Sequence, residues 1–238
     1  MRYRTNPKIQ ISSTGFLKNP IDNSDFWYHG GSRLKGKSID SSFSKQSTNA
    51  FYVSSGLFTP AFFMKLTLRD CLFDRYSDAF FTNVADDAYS DTAFLIELIS
   101  SVCALSIFRV KDSNFFNADQ LTPSLRNALL ECVKKNGGVV NDFDQLEKTY
   151  YFQYFQKNPA LLGCIKSMGY VGWFESEGDI RIGNDLNIAI LEPHGACVFV
   201  DELNFEQELP NAEFQALIEE CASFVKFKLS KRKQSYGF

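Results

Sequence analysis

Histidine is almost absent: His29 and His194 are the only two in 238 residues. A metal centre built on several imidazoles is excluded by that count, and a Ser-His-Asp machine has few parts to draw on. The short signatures of common catalysts are missing as well. There is no GxSxG elbow, no GxxxxGK[S/T] phosphate loop and no HExxH zinc helix. Nor is there a GxGxxG fingerprint, because Gly30 and Gly31 are followed by Gly36, the wrong spacing for a dinucleotide-binding turn. Cys71, Cys103, Cys132, Cys164, Cys197 and Cys221 form no CxxC pair. That argues against zinc and for free, buried thiols in a reducing compartment. No run of apolar residues is long enough for a membrane span: the longest, 93–108, contains Glu97 and three serines. The opening MRYRTNPKIQISSTG has no apolar signal core. The expected location is a cytoplasm, either the producing cell's own or that of a host reached without an N-terminal signal peptide.

What is present is ordinary globular composition with one excess. Hydrophobic residues make up 45% and charged residues 22%, and phenylalanine occurs 24 times, so the core is expected to be aromatic-rich. The net charge of −3 means that any anion site is local rather than a property of the whole surface.

Along the chain, residues 1–25 are polar, with Asn-Pro at 6–7 and 19–20, and read as an arm or loop. FWYHG (26–30) reads as a short strand ending at its glycines, and AFYVSS (50–55) as a second strand. Thr59-Pro60 opens a helix through AFFMKLTLRD. Apolar positions 94, 95, 98, 99 and 102 have helical spacing within 86–102, and ALSIFRV (104–110) alternates like a strand. LTPSLRNALLECVKKNGG (121–138) carries Thr122 as N-cap, Pro123 at N1 and Gly137 beyond the end. Residues 146–157 predict a helix, and a second opens at Asn158-Pro159 and stops at Gly169. Strands follow at 170–176, 187–193 and 196–203. A helix over 211–229 closes the chain, ahead of a basic, frayed tail. Strands, then helices, then strands predict an α+β fold in a single domain, 26–238, after an N-terminal arm, 1–25, with a helical insert at about 86–165.

Three motifs stand in order. Tyr28-His29-Gly30-Gly31-Ser32 puts a histidine before bare backbone at a strand end. Ala50-Phe51-Tyr52-Val53-Ser54-Ser55 puts a tyrosine in a strand of small and aromatic residues. Met168-Gly169-Tyr170-Val171-Gly172-Trp173 is followed, after a hairpin, by Asn187-Ile188-Ala189-Ile190-Leu191-Glu192-Pro193. Taken singly, each is an unremarkable strand. Together they resemble the ADP-ribosyltransferase superfamily, in its histidine-bearing, diphtheria-toxin- and PARP-like branch, over residues 26 to about 195.

That resemblance implies split antiparallel or mixed sheets with flanking helices, and NAD as substrate. It implies that His29 holds the adenosine-side ribose and that backbone at Gly30 and Gly31 clamps the nicotinamide amide. Tyr52 stacks on the nicotinamide ring, with Ser54 beside it, and Ser32 and Arg33, with Lys35 and Lys37, meet the pyrophosphate. The usual glutamate of the third motif falls at Asn187, which can hydrogen-bond a ribose hydroxyl but carries no charge. Three readings stay open: a nearby acid (Glu175, Glu177, Asp179 or Asp185) takes the role; a mono-transferase works with Asn187; or the fold is kept for binding alone.

The default acceptor is a protein, as for a toxin, an injected effector or a phage-encoded modifier. Nucleic acid is the alternative, through a basic loop at 33–45 (Arg33, Lys35, Lys37, Lys45) and a basic tail at 226–233. RNA 2′-phosphotransferase chemistry, on a related fold, ranks low because the arginines are few and scattered. No membrane partner is expected. The aromatics Tyr150, Tyr151, Phe152, Tyr154 and Phe155 have helical spacing and read as core.

Overall fold

The computed structural model describes residues 9–32, 50–76, 78–117, 121–142, 159–175, 185–208 and 211–235. The strands are β1 (Trp27–Ser32), β2 (Phe51–Ser54), β3 (Cys103–Val110), β4 (Phe115–Asn117), β5 (Gly172–Glu175), β6 (Asn187–Ile190) and β7 (Cys197–Glu202). The helices are α1 (Phe58–Arg75), α2 (Asp78–Phe81), α3 (Thr92–Val102), α4 (Pro123–Lys135), α5 (Pro159–Ser167), α6 (Pro193–Ala196), α7 (Phe205–Glu208) and α8 (Ala212–Ser235). In the first of the chain's two compact units, strands β4-β5-β6-β2 run side by side in one sheet. It is mixed: β4 and β5 are parallel, while β5–β6 and β6–β2 are antiparallel. The α+β expectation therefore holds.

By contacts, the chain forms two compact units. One comprises Met1–Trp27, Lys37–Gly56 and Phe108–Phe199; the other comprises Tyr28–Gly36, Leu57–Ile107 and Val200–Phe238. The stretch read as one helical insert is shared: α3 belongs to the second unit and α4 and α5 to the first, with β3 and β4 between them in sequence.

In the first unit, α4 and α5 bury their apolar faces against β2, β4, β5 and β6. Leu129, Val133, Leu161 and Ile165 pack with Phe116, Trp173 and Ala189, all fully buried. Each such aliphatic side chain contributes about 1.5–3 kcal/mol on leaving water. Helix α4 starts as its sequence predicts: Thr122 Oγ1 accepts from Leu125 N at 3.2 Å, with Pro123 next. It stops at Asn136, and Gly137 follows at φ +83°, the left-handed backbone that favours glycine. Gly172 is fixed by strand pairing, since a Cβ there would lie 2.1 Å from the Ala189 carbonyl oxygen.

The N-terminal segment, from residue 9 onward, is a docked loop. Leu17 and Asn19 are buried. Asn19 Nδ2 donates to the Phe26 and Ser55 carbonyls at 2.8 and 2.7 Å, while its Oδ1 accepts from Ile21 N at 2.9 Å. The Trp27 indole donates to the Leu17 carbonyl.

In the second unit, α1, α3 and α8 enclose Met64, Leu68, Leu72, Leu98, Ile99, Leu217 and Val225. Helix α3 opens at Thr92, later than the 86–102 reading, because the Asp91 carboxylate caps the Ala93 and Phe94 amides after a 3₁₀ turn at Ala88–Ser90. Helix α8 runs to Ser235 instead of fraying after 229. Arg232 holds it, donating to the carbonyls of Phe81, Thr82 and Val84 and pairing with Asp86.

Two strand ends also differ from the sequence reading. β1 continues through its glycines to Ser32, and β6 stops at Ile190 because Pro193 opens α6. The predicted helix at 146–157, with Tyr150, Tyr151, Phe152, Tyr154 and Phe155, lies outside the described residues. All six cysteines are free, and five are buried. Among the described residues no helix is long and apolar enough to cross a membrane.

Candidate functional site

Strand register builds the site in the first unit. Ser54 pairs with Asn187, and Asn187 pairs with Glu175. One row nearer the helices, Tyr52 pairs with Ala189, Ala189 with Trp173, and Trp173 with Phe116. Directly paired residues, and residues two apart on a strand, share a face. Tyr52, Ser54, Asn187 and the Glu175 position therefore lie on the face that α4 and α5 cover.

Tyr52 is half-buried and meets Trp173 edge to face, with ring centroids 6.3 Å apart. Asn187 is only 6% exposed, and its Oδ1 is buried with no hydrogen-bond partner among the described residues. Burying a carbonyl acceptor without a partner costs about 1–3 kcal/mol, so such an atom marks a place where a donor is expected.

Asp185 completes the group. Its carboxylate accepts from Ser54 Oγ at 3.1 Å. Ser55 N donates to the Leu186 carbonyl at 2.9 Å, and Leu186 N donates to Ser55 Oγ at 2.8 Å, which fixes the backbone on both sides. Gly56 leaves room for the acid: a Cβ there would sit 2.1 Å from Asp185 Oδ1. The carboxylate, the amide oxygen and the hydroxyl beside an aromatic ring suit a ligand rich in hydroxyl or N–H donors. The negative charge suits a reaction in which positive charge develops.

The other predicted residues fall elsewhere. His29, Gly30, Gly31 and Ser32 lie on β1, in the stretch that belongs to the second unit. His29 is half-buried, with its Nε2 beside Gly31; a Cβ on Gly31 would meet it at 3.5 Å, ordinary contact. Gly30 is bare for a reason of packing: a Cβ there would lie 2.2 Å from the Pro60 carbonyl oxygen at the start of α1. Ser32 and His194 are exposed. Glu175 is described in its backbone register only, and Glu177, Asp179, Arg33, Lys35, Lys37 and Lys45 lie outside the described residues. A cavity of about 510 Å³ in the second unit is lined by Asn83, Asp87, Ser90, Asp91 and Phe94 among others, and by none of the predicted site residues.

Sequence reasoning named Asp185 as one of four hairpin acids but could not choose among them. Of the four, Asp185 is the one whose side chain is described, and Gly56, two residues after Ser54, leaves the space that its carboxyl occupies. No family model, curated protein or solved structure matches the chain.

Proposed function

We propose that the chain is an NAD-dependent mono-ADP-ribosyltransferase, which moves ADP-ribose from NAD to a macromolecular acceptor, by default a protein, and releases nicotinamide. The observation that carries this reading is the buried Oδ1 of Asn187, without a hydrogen-bond partner among the described residues, in register with Ser54 and two residues from the Asp185 carboxylate. At the third-motif position Asn187 accepts a hydrogen bond from a ribose hydroxyl. Asp185 supplies the negative charge that Asn187 lacks, opposite the oxocarbenium character that grows as the ribose–nicotinamide bond breaks. Tyr52 offers its ring to the nicotinamide. His29, assigned by the resemblance to the adenosine-side ribose, is tested separately.

The acceptor is read as a protein by default, with nucleic acid as the alternative. Lys226, Lys228 and Lys231 lie over the rings of Tyr89, Phe224 and Phe227, and Arg232 is committed to backbone carbonyls.

The test is NAD binding by calorimetry together with nicotinamide release, in the wild-type protein and in His29→Ala and Tyr52→Ala. Turnover lost in both variants supports the transferase. Labelled NAD in a host lysate then identifies the acceptor. A second reading, a catalytically inactive nucleotide- or protein-binding module on the same fold, is favoured by the neutral Asn187, and NAD binding without turnover would select its nucleotide-binding form. Absence of NAD binding would overturn the transferase and the nucleotide-binding module alike.

A further inference from the structure

Two cysteines in the first unit share one neighbour. Asn136, at the end of α4, donates from Nδ2 to Cys132 Sγ at 3.5 Å and to Cys164 Sγ at 3.6 Å. The same nitrogen donates to the Cys132 carbonyl at 2.8 Å, so its position is fixed by the helix end. Ser167 on α5 lies 3.8 Å from Cys132 Sγ and donates to the Cys164 carbonyl. One amide thus gathers a sulfur from α4 and a sulfur from α5. Cys132 is half-buried and reachable, whereas Cys164 is fully buried. The other four cysteines are buried too.

We infer that Cys132 and Cys164 form a peroxide-responsive dithiol that closes to a disulfide tying α4 to α5. In the first step the Cys132 sulfur attacks a peroxide oxygen. An S–O bond forms, the O–O bond breaks, and the departing hydroxide takes the thiol proton as water, leaving a sulfenic acid. In the second step the Cys164 sulfur attacks the Cys132 sulfur. The S–S bond forms as the S–O bond breaks, and the hydroxyl leaves with the Cys164 proton as a second water. Two thiols and one peroxide become one disulfide and two waters; sulfur is oxidised and peroxide oxygen reduced.

Reduced Cys164 is held back from reaction. Burial pushes its thiol up to about 12, and the hydrogen bond with Cys132 adds to the effect while the Asn136 amide works against it. Cys132 is the half-buried thiol and reacts first, and the Cys164 sulfur attacks once its neighbour carries a leaving hydroxyl. The bridge would stiffen the helical layer over the face that carries Tyr52 and Trp173. This inference is independent of the transferase reading.

The experiment is mass-spectrometric mapping of the native full-length chain after limited hydrogen peroxide, with remaining thiols alkylated before digestion. The expected product is a Cys132–Cys164 cross-linked peptide, lighter by two hydrogens and reversed by dithiothreitol, with the other four cysteines alkylated. The oxidised protein should melt roughly 5 °C or more higher. Cys132→Ser should abolish the cross-link; Cys164→Ala, close in volume, gives a second variant should the serine disturb packing. Six alkylated cysteines after peroxide, or Cys132 as sulfinic acid with Cys164 still alkylated, would overturn the inference without any variant having to fold.

Discussion

Ser54 Oγ donates to Asp185 Oδ2 across 131 positions of sequence, at 3.1 Å. The turn after β2 decides where that acid stands. Ser55 grips Leu186 with two hydrogen bonds, and Gly56 vacates the volume that the carboxyl fills. Three consecutive residues, Ser54-Ser55-Gly56, thus position one carboxylate beside an asparagine that cannot carry charge itself. On the transferase reading, the acid has moved from position 187 to position 185 and is held there from the neighbouring strand.

Asp185→Asn should then lower nicotinamide release by about 10²–10³-fold, the usual loss when one preorganised electrostatic group is removed. NAD affinity should change little, because the charge acts on the transition state. Asn187→Ala should do the opposite in kind, weakening NAD binding by about 1–2 kcal/mol through loss of one acceptor. Steady-state kinetics with calorimetry separates the two. An Asp185→Asn protein at full rate would shift the role to Glu175 or Glu177.

The three glycines near the motifs should respond differently to alanine. At Gly30 the added Cβ meets backbone, 2.2 Å from the Pro60 oxygen, and backbone does not rotate aside. Gly30→Ala should cost about 3 kcal/mol. At Gly56 the obstacle is the Asp185 side chain, which can swing. Gly56→Ala should cost less, about 1–2 kcal/mol, yet remove activity by displacing the acid. Gly31→Ala meets nothing closer than 3.5 Å among the described residues and should fall within about 0.5 kcal/mol of wild type. Urea denaturation orders the three; equal midpoints for Gly30→Ala and Gly31→Ala would contradict the contact with Pro60.

Much of the fold was legible because local signals agree with the tertiary result. Thr122-Pro123, Asn158-Pro159 and the alternation at 104–110 each mark an element that forms where they say. What local signals miss is set by distant partners. The continuation of α8 to Ser235 depends on carbonyls about 150 positions earlier in the chain, which no helix signal at 230–235 encodes. The bareness of Gly30 looked like room for a ligand, and only the contact with Pro60 supplies the packing reason. For the site, Tyr52, Ser54 and Asn187 could be picked by motif order. That Asp185 stands beside Ser54 follows from the β2–β6 register and the space at Gly56, which spacing in the sequence does not encode.

Stability should fall in alkali, through buried thiols. Burial pushes Cys221 up to about 12, and it pushes Cys197 to about 12 as well, against a lowering influence from Lys111. An unfolded thiol titrates near its ordinary value of 9.0. Between these values the folded chain keeps protons that the unfolded chain has lost, so unfolding releases protons and is favoured as pH rises. The contribution is fully present below pH 9 and lost progressively from about 9 toward 12. Each thiol adds a slope of about 1.4 kcal/mol per pH unit in that window. Urea midpoints from pH 8 to 10.5 should fall, and less steeply in Cys221→Ala. A parallel decline in that variant would remove Cys221 from the account.

Arg232 should matter more to stability than its place near the chain's end suggests. Its Nη1 donates to three carbonyls, Phe81 at 2.7 Å, Thr82 at 3.2 Å and Val84 at 2.9 Å, and its Nη2 pairs with Asp86. The carbonyl of Phe81 belongs to the end of α2, where helix termini leave acceptors unsatisfied and favour a cation. The side chain is 19% exposed, so water replaces these donors poorly. Arg232→Ala should cost about 2–3 kcal/mol, since hydrogen bonds to a charged donor are the strong ones. Arg232→Lys should recover only part of it, because an ammonium is a point charge and lacks the planar fork that reaches both the carbonyls and Asp86. The loss should be local as well as global: amide hydrogen exchange should speed up across 78–91 and in the last turns of α8, and stay unchanged in α4 and α5. Full rescue by lysine would reduce the contact to simple charge attraction, and unchanged exchange at 78–91 would contradict its role in holding that segment.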